Sequence, residues 1–163
     1  MSGEPESNVD EKIAELDKLL DDYSTALGTA AIQNDKDIET ILEMSHEHLK
    51  LMDGEECGIW SFRVARYASF LQKEINRHTA KNKWAEHNLK IIVAKNQANY
   101  GDKYTKHEVK RDMIIAENSY AQVLNKMILQ TMLRVEELNF LSTRIHTMST
   151  ILLDISKSKR YDN

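Results

Sequence analysis

Residues 59–99 read IWSFRVARYASFLQKEINRHTAKNKWAEHNLKIIVAKNQAN, and this stretch decides the fold. It holds neither Pro nor Gly, so nothing in it forces a turn. Its apolar residues Trp60, Val64, Tyr67, Leu71, Ile75, Ala85, Leu89 and Val93 fall on one face when successive residues are set about 100° apart. A second face, about 120° away on the same wheel, carries Arg63, Arg66, Lys73, Arg77, Lys81 and Lys95, together with Phe70, Trp84 and Ile91. The spacing predicts a single amphipathic helix with a packing stripe and, beside it, a basic stripe roughly 50 Å long.

The rest of the chain extends this picture. The 163 residues contain five Gly and one Pro, with 7% aromatic and 29% charged residues. That composition predicts an all-α protein of long amphipathic helices with short connections. A first helix is expected from Asp10 to Ile32, burying Ile13, Leu16, Leu19, Leu20, Tyr23 and Leu27, and a second over 36–52, capped by Asn34 or Asp35 and burying Ile38, Ile41, Leu42, Leu49 and Met52. Asp53 to Glu56 reads as a break with Gly58 on its far side, and Asn99-Tyr100-Gly101-Asp102 as a turn. Thr105 with Glu108 has the capping-box spacing for a last helix reaching Ser156. That helix carries Val109, Met113, Ala116, Tyr120, Val123 and Met127, then Val135, Leu138, Leu141, Ile145, Met148, Leu152 and Ile155. The pattern is coiled-coil-like, with a stutter where Gln130 and Arg134 meet the seam, and the second set is the candidate oligomerisation surface. Three parts are expected: an acidic N-terminal extension with one helix (1–35), a helical binding and oligomerisation domain (36–156) and a polar, fraying tail (157–163).

Charge is strongly segregated. Residues 1–62 carry a net −12, residues 63–111 a net +8 and residues 112–163 none, although the whole chain is only −4. A row of cations along a rod neutralises the regularly spaced phosphates of a nucleic acid, and aromatic side chains among them offer stacking surfaces to unpaired bases. Arg66, Lys73, Arg77, Lys81, Lys83, Trp84, Lys90, Lys95, Tyr100, Lys103, Lys106 and Lys110 are the candidate DNA-binding residues. The bland alternatives are a solvated face, Trp84 as a packing residue, or a stripe neutralised by the acidic first third docking on it.

Other chemistries find little support. Glu43 and His46 have the Glu-x-x-His spacing of helix-bundle metal sites, but a second such pair is missing, and His46 and His48 diverge on a helix. Cys57, the only cysteine, lacks an evident catalytic partner and fits a free, partly buried thiol in a reducing compartment. There is no Gly-rich phosphate loop. No catalytic residues, metal or cofactor are expected. The acidic start Met1 to Glu6 does not resemble a signal peptide, and no apolar run is long enough to span a membrane.

Residues 67–75, Tyr-Ala-Ser-Phe-Leu-Gln-Lys-Glu-Ile, carry a resemblance, together with Ala94 and Lys95, Tyr100 and Gly101, then Lys106, Glu108, Val109 and Lys110. In this order they resemble the recombination mediators of T-even-like phages, the UvsY family, over residues 37–155. The resemblance implies a small helical protein forming hexameric or heptameric rings in the cytoplasm of the infected host cell. It would bind single-stranded DNA coated by single-strand-binding protein and help load a RecA-like phage recombinase, without hydrolysing ATP. The family's Lys-Ala-Arg-Leu-Asp-Tyr type motif falls on 93–98, where Lys95 keeps one cation, Val93 replaces the other and the tyrosine is displaced to Tyr100. The expected function is therefore a non-enzymatic recombination mediator. The alternative is a helical coiled-coil adaptor that binds no nucleic acid; a metal-dependent helical enzyme is a third class.

Overall fold

The computed structural model describes residues 6–29, 33–102 and 104–161. Among them the chain is helical, with no strand. Six α-helices follow in order: α1 (Glu6–Ala26), α2 (Ile38–Glu43), α3 (His46–Leu51), α4 (Gly54–Asn96), α5 (His107–Glu117) and α6 (Ser119–Tyr161), with a short 3-10 turn, Gln97–Asn99, after α4. The chain divides into two compact units. One comprises residues 1–27 and 76–135, the other residues 28–75 and 136–163, so that α4 and α6 each contribute to both.

The stripe expected on α4 is present and more regular than its apolar residues alone suggested. Cys57, Ser61, Val64, Ala68, Leu71, Ile75, Ala85, Leu89 and Val93 are buried, and half-buried His78 and Asn82 fill the gap. From 57 to 89 the steps alternate four and three, the period of a helix burying one narrow seam. On α6 the buried positions are Ala121, Leu124, Thr131, Leu138, Ile145, Leu152 and Ser156, with half-buried Ile128, Val135, Ser142 and Ser149 continuing the alternation. No stutter interrupts it, and Gln130 and Arg134 are exposed. The apolar count misplaced the seam because small polar residues occupy it.

In the unit containing residues 136–163, α4 and α6 run antiparallel. The Ser156 hydroxyl donates to the Gly54 carbonyl at 2.6 Å, and seven residues along, Ser61 Oγ donates to the Ser149 carbonyl at 3.0 Å. A Cβ on Gly54 would lie 3.2 Å from the Lys159 side chain, and one on Gly58 3.3 Å from Ser156 Oγ. These glycines therefore serve close helix approach and do not break the chain. Helix α4 begins at Gly54, helped by Asp53, whose carboxylate accepts the Glu56 N–H at 2.7 Å. Cys57 is fully buried here, and burial pushes its thiol pKa up. The expected fraying tail is helical as far as Tyr161, and Lys159 Nζ donates to the carbonyls of Lys50 (2.6 Å) and Met52 beyond α3.

Other boundaries differ for local reasons. The expected helix over 36–52 is two helices, because Met44 and Ser45 are extended and Ser45 caps α3. Glu43 and His46 thus sit on different helices, which removes their metal-site spacing. The box expected at Thr105 and Glu108 does not form: Thr105 Oγ1 donates to Asp102 at 2.9 Å, and Lys106 stands at the N-cap without a side-chain bond. Gly101 takes the left-handed conformation expected of it, φ +68°. The last helix is also split. Asn118 is extended and its side chain accepts the Ala121 N–H at 2.9 Å, ending α5 and capping α6. This break shifts the buried phase, so Ile114, Ala121 and Leu124 are inside while Val109, Met113 and Val123 are exposed. Helix α1 ends at Ala26 and buries Val9 and Leu16; Leu19, Tyr23 and Leu27 are 66, 63 and 58% exposed. The expected end at Ile32 lies outside the described residues.

Among the candidate oligomerisation residues, Leu138, Ile145 and Leu152 are buried within the single chain, and Val135, Leu141, Met148 and Ile155 are half-buried. Replacing Ile145 with Asp therefore places an uncompensated charge in the chain's own core and is expected to cost more than about 3 kcal/mol, read as a large drop in the thermal unfolding midpoint. Asn118→Ala is expected to cost about 1 kcal/mol through the lost cap; an unchanged midpoint would contradict the capping role.

Candidate nucleic-acid interface

The basic stripe of α4 is partly occupied by the chain's own acids. In the unit containing residues 28–75, the Arg63 guanidinium bonds Asp35 at 2.9 and 2.7 Å and Asp37 at 2.7 Å, and lies 4.2 Å from the Trp60 ring. Asp35, expected as a helix cap, instead has its carboxyl held below the usual range chiefly by the Arg63 hydrogen bond. In the other unit, α1 brings Asp17 to 2.8 Å from Arg77 and 2.5 Å from Lys81, and Asp21 to Arg77. Burial alone would raise the Asp17 pKa, but hydrogen bonds from Lys81 and Arg77 outweigh it and hold the group below its usual value of 3.8. A carboxylate depressed on folding stabilises the folded state at pH above its unfolded value. That contribution disappears as pH falls through the lower folded value. Arg63, Arg77 and Lys81 are thus not open cations, whereas Arg66, Lys73, Lys83, Lys90, Lys95, Lys106 and Lys110 make no ion pair among the described residues.

Residues 76–135 with α1 also form a groove of about 530 Å³, within the ~300–1,000 Å³ range of ligand sites. Trp84 and Lys95 enter it from α4, Tyr100 from the turn beyond, Tyr120 from the start of α6 and Lys12 from α1. Trp84, Tyr100 and Tyr120 pack against the buried cluster of Ala85, Leu89, Ile114 and Leu124, so Trp84 is both a packing residue and part of the groove wall. The Tyr100 hydroxyl donates to Glu117 at 3.0 Å, and this bond raises its pKa. Lys12 Nζ sits 4.9 Å from the Tyr120 ring centroid. A contact of that kind is worth about 0.5–1 kcal/mol at exposed sites.

The twelve candidate residues do not share one surface. Trp84, Lys95 and Tyr100 converge in the groove, but Lys90 lines a different one of about 350 Å³, floored by Leu89, Val93 and Ile128 and rimmed by His107 and Arg111. A five-residue step on a helix turns a side chain through about 140°, which separates Lys90 from Lys95. Lys83 is exposed, Lys106 and Lys110 belong to the start of α5, and Lys103 lies outside the described residues. Lys12, Asn88 and Tyr120 escaped the sequence reading: Lys12 sits in the acidic third, and Tyr120 was assigned to a seam in the wrong phase. Among the described residues there is no group of three His, Cys, Asp or Glu that could hold a metal ion, and no helix is long and apolar enough to cross a membrane. No family model, curated protein or solved structure matches the chain.

Helix α1 buries Val9 and Leu16 and half-buries Ile13 and Leu20, and adds partly exposed ion pairs, each contributing about 0–1 kcal/mol. Asp17→Asn combined with Asp21→Asn is expected to raise hydrogen exchange along α1 at neutral pH while the middle of α4 stays protected. Unchanged exchange in α1 would show that the apolar contacts alone hold it.

Proposed function

We propose that this protein is a non-enzymatic, helical binder of single-stranded DNA. The observation that carries the reading is the convergence of Trp84, Lys95 and Tyr100, chosen from sequence as DNA-binding residues, in one groove with Tyr120 and Lys12. Rings and ammonium groups set side by side meet both needs of an unpaired strand, stacking and phosphate neutralisation. Lys83, Lys90, Lys106 and Lys110, which make no ion pair among the described residues, extend the positive field beyond the groove. The narrower role rests on the resemblance of residues 37–155 to the phage mediators: loading a RecA-like recombinase onto strands coated by single-strand-binding protein, as a hexameric or heptameric ring. For such assembly, the apolar residues of α6 open to a second copy include Phe140, 70% exposed.

The ion pairs of Arg63, Arg77 and Lys81 favour a second reading, a structural adaptor whose basic stripe is spent internally. Fluorescence anisotropy with labelled oligo(dT) separates the two. DNA binding predicts an affinity falling steeply between about 50 and 200 mM salt, and further loss on Lys95→Glu. No binding at low salt, or affinity indifferent to salt, leaves the adaptor. Phe140→Asp is expected to reduce the sedimenting mass without loss of helix; an unaltered mass would exclude that face from assembly.

A further inference from the structure

We propose that the groove of Trp84, Tyr100 and Tyr120 seats one unstacked base of the bound strand, with Lys12 and Lys95 on the phosphates to either side. The inference rests on the single-strand reading above and adds where a base goes and which part of the acidic N-terminal third takes part.

The three rings come from three separate elements, and each is held half-buried by the same core cluster. Their positions are therefore set before any ligand arrives, which reduces the ordering cost of binding. The wall between them includes the amides of Asn88 and Asn96. Asn88 and Asn96 each spend one N–H on their own helix, on the carbonyls of Trp84 and Ile92 at 2.8 Å. Those bonds orient the amides, and each keeps a carbonyl oxygen and a second N–H, the donor–acceptor pair that matches a base edge. Glu117 closes one side, bonded to Tyr100. A carboxylate there disfavours a phosphate inside the groove and suits a neutral, flat, polar-edged group with its charges outside. Lys12 and Lys95 line the groove beside the rings, where their ammonium groups can meet those outer charges. A duplex keeps its bases stacked and paired, so an accessible base comes from a single strand.

The chain has two tryptophans, and Trp60→Phe leaves Trp84 as the sole indole without altering the groove. In that background, oligo(dT) is compared with an abasic deoxyribose-phosphate oligomer of equal length and charge. Oligo(dT) is expected to quench Trp84 and to bind about tenfold or more tightly than the abasic strand. Tyr120→Ala should narrow that margin, Lys12→Ala should weaken binding of both strands alike, and Tyr120→Phe, which keeps the ring, should preserve the margin. Equal affinity for both strands with silent Trp84 emission overturns the base site and leaves backbone binding intact. Failure of both strands to bind overturns the single-strand reading and the base site together. The first comparison needs no change within the groove, so a poorly folding groove variant does not decide the outcome.

Discussion

Each of the two longest helices must bury one narrow stripe, and the rest of the structure depends on how closely those stripes are filled. In the unit containing residues 28–75 and 136–163 small residues share the filling with Val64, Leu71, Leu138, Ile145 and Leu152. Gly54, Gly58 and Ser61 on α4 meet Ser149 and Ser156 on α6, and the separation of packed helices follows the size of the side chains between them. The hydroxyls donate to backbone carbonyls, so polar atoms enter the seam without being left unsatisfied. In the other unit Asn82 does the same work, its amide donating to the Ile128 carbonyl and to Thr131 Oγ1, both at 3.0 Å. Such polar layers fix register more sharply than leucines do, since a slipped helix would strand each donor in an apolar environment.

Because the seam takes one face of α4, its flanks remain for charge and ligand. On one flank the acids of the N-terminal third meet Arg63, Arg77 and Lys81. On the same flank Trp84 and Lys95 open into one groove, while Lys90 opens into another elsewhere on the circumference. The net charge of the chain's middle third therefore overstates what a polyanion would meet. Cations and carboxylates that are far apart in sequence cancel locally, and of the cations left over on α4, Lys83 and Lys90 lie off the stripe. Helix α1 takes part in both effects, supplying Asp17 and Asp21 to the stripe and Lys12 to the groove. Its ion pairs make part of its hold sensitive to salt and acid.

The long helices, their identity and most of α4's inner face were legible in the sequence, because a three–four apolar period constrains a helix strongly wherever bulky side chains carry it. Legibility failed where small or polar residues do the packing. Ser142, Ser149, Thr131 and Ser156 hold the seam of α6 but look like solvent residues, so the reading drifted towards Leu141, Met148 and Ile155 and introduced a stutter. Local hydrogen bonds also competed with the expected ones: Asp102 took the Thr105 hydroxyl from its cap, and Asn118 stopped a helix that composition alone would have continued. In the candidate interface, Trp84, Lys95 and Tyr100 were recognisable because all three lie along one basic segment. Lys12 and Tyr120 were not, since residues more than a hundred positions apart have no shared periodicity to betray them.

By itself the sequence determined that the chain is helical, that α4 has an apolar and a basic side, and that negative charge is concentrated before residue 63. These follow from propensity, period and composition, which are local properties of a chain. Only the tertiary structure decided which cations stay open, which of the expected interface residues are consumed as core, and that three rings and two ammonium groups share one groove. Those outcomes depend on which distant segments meet, and a pairing energy exists only once packing has brought its two partners within reach.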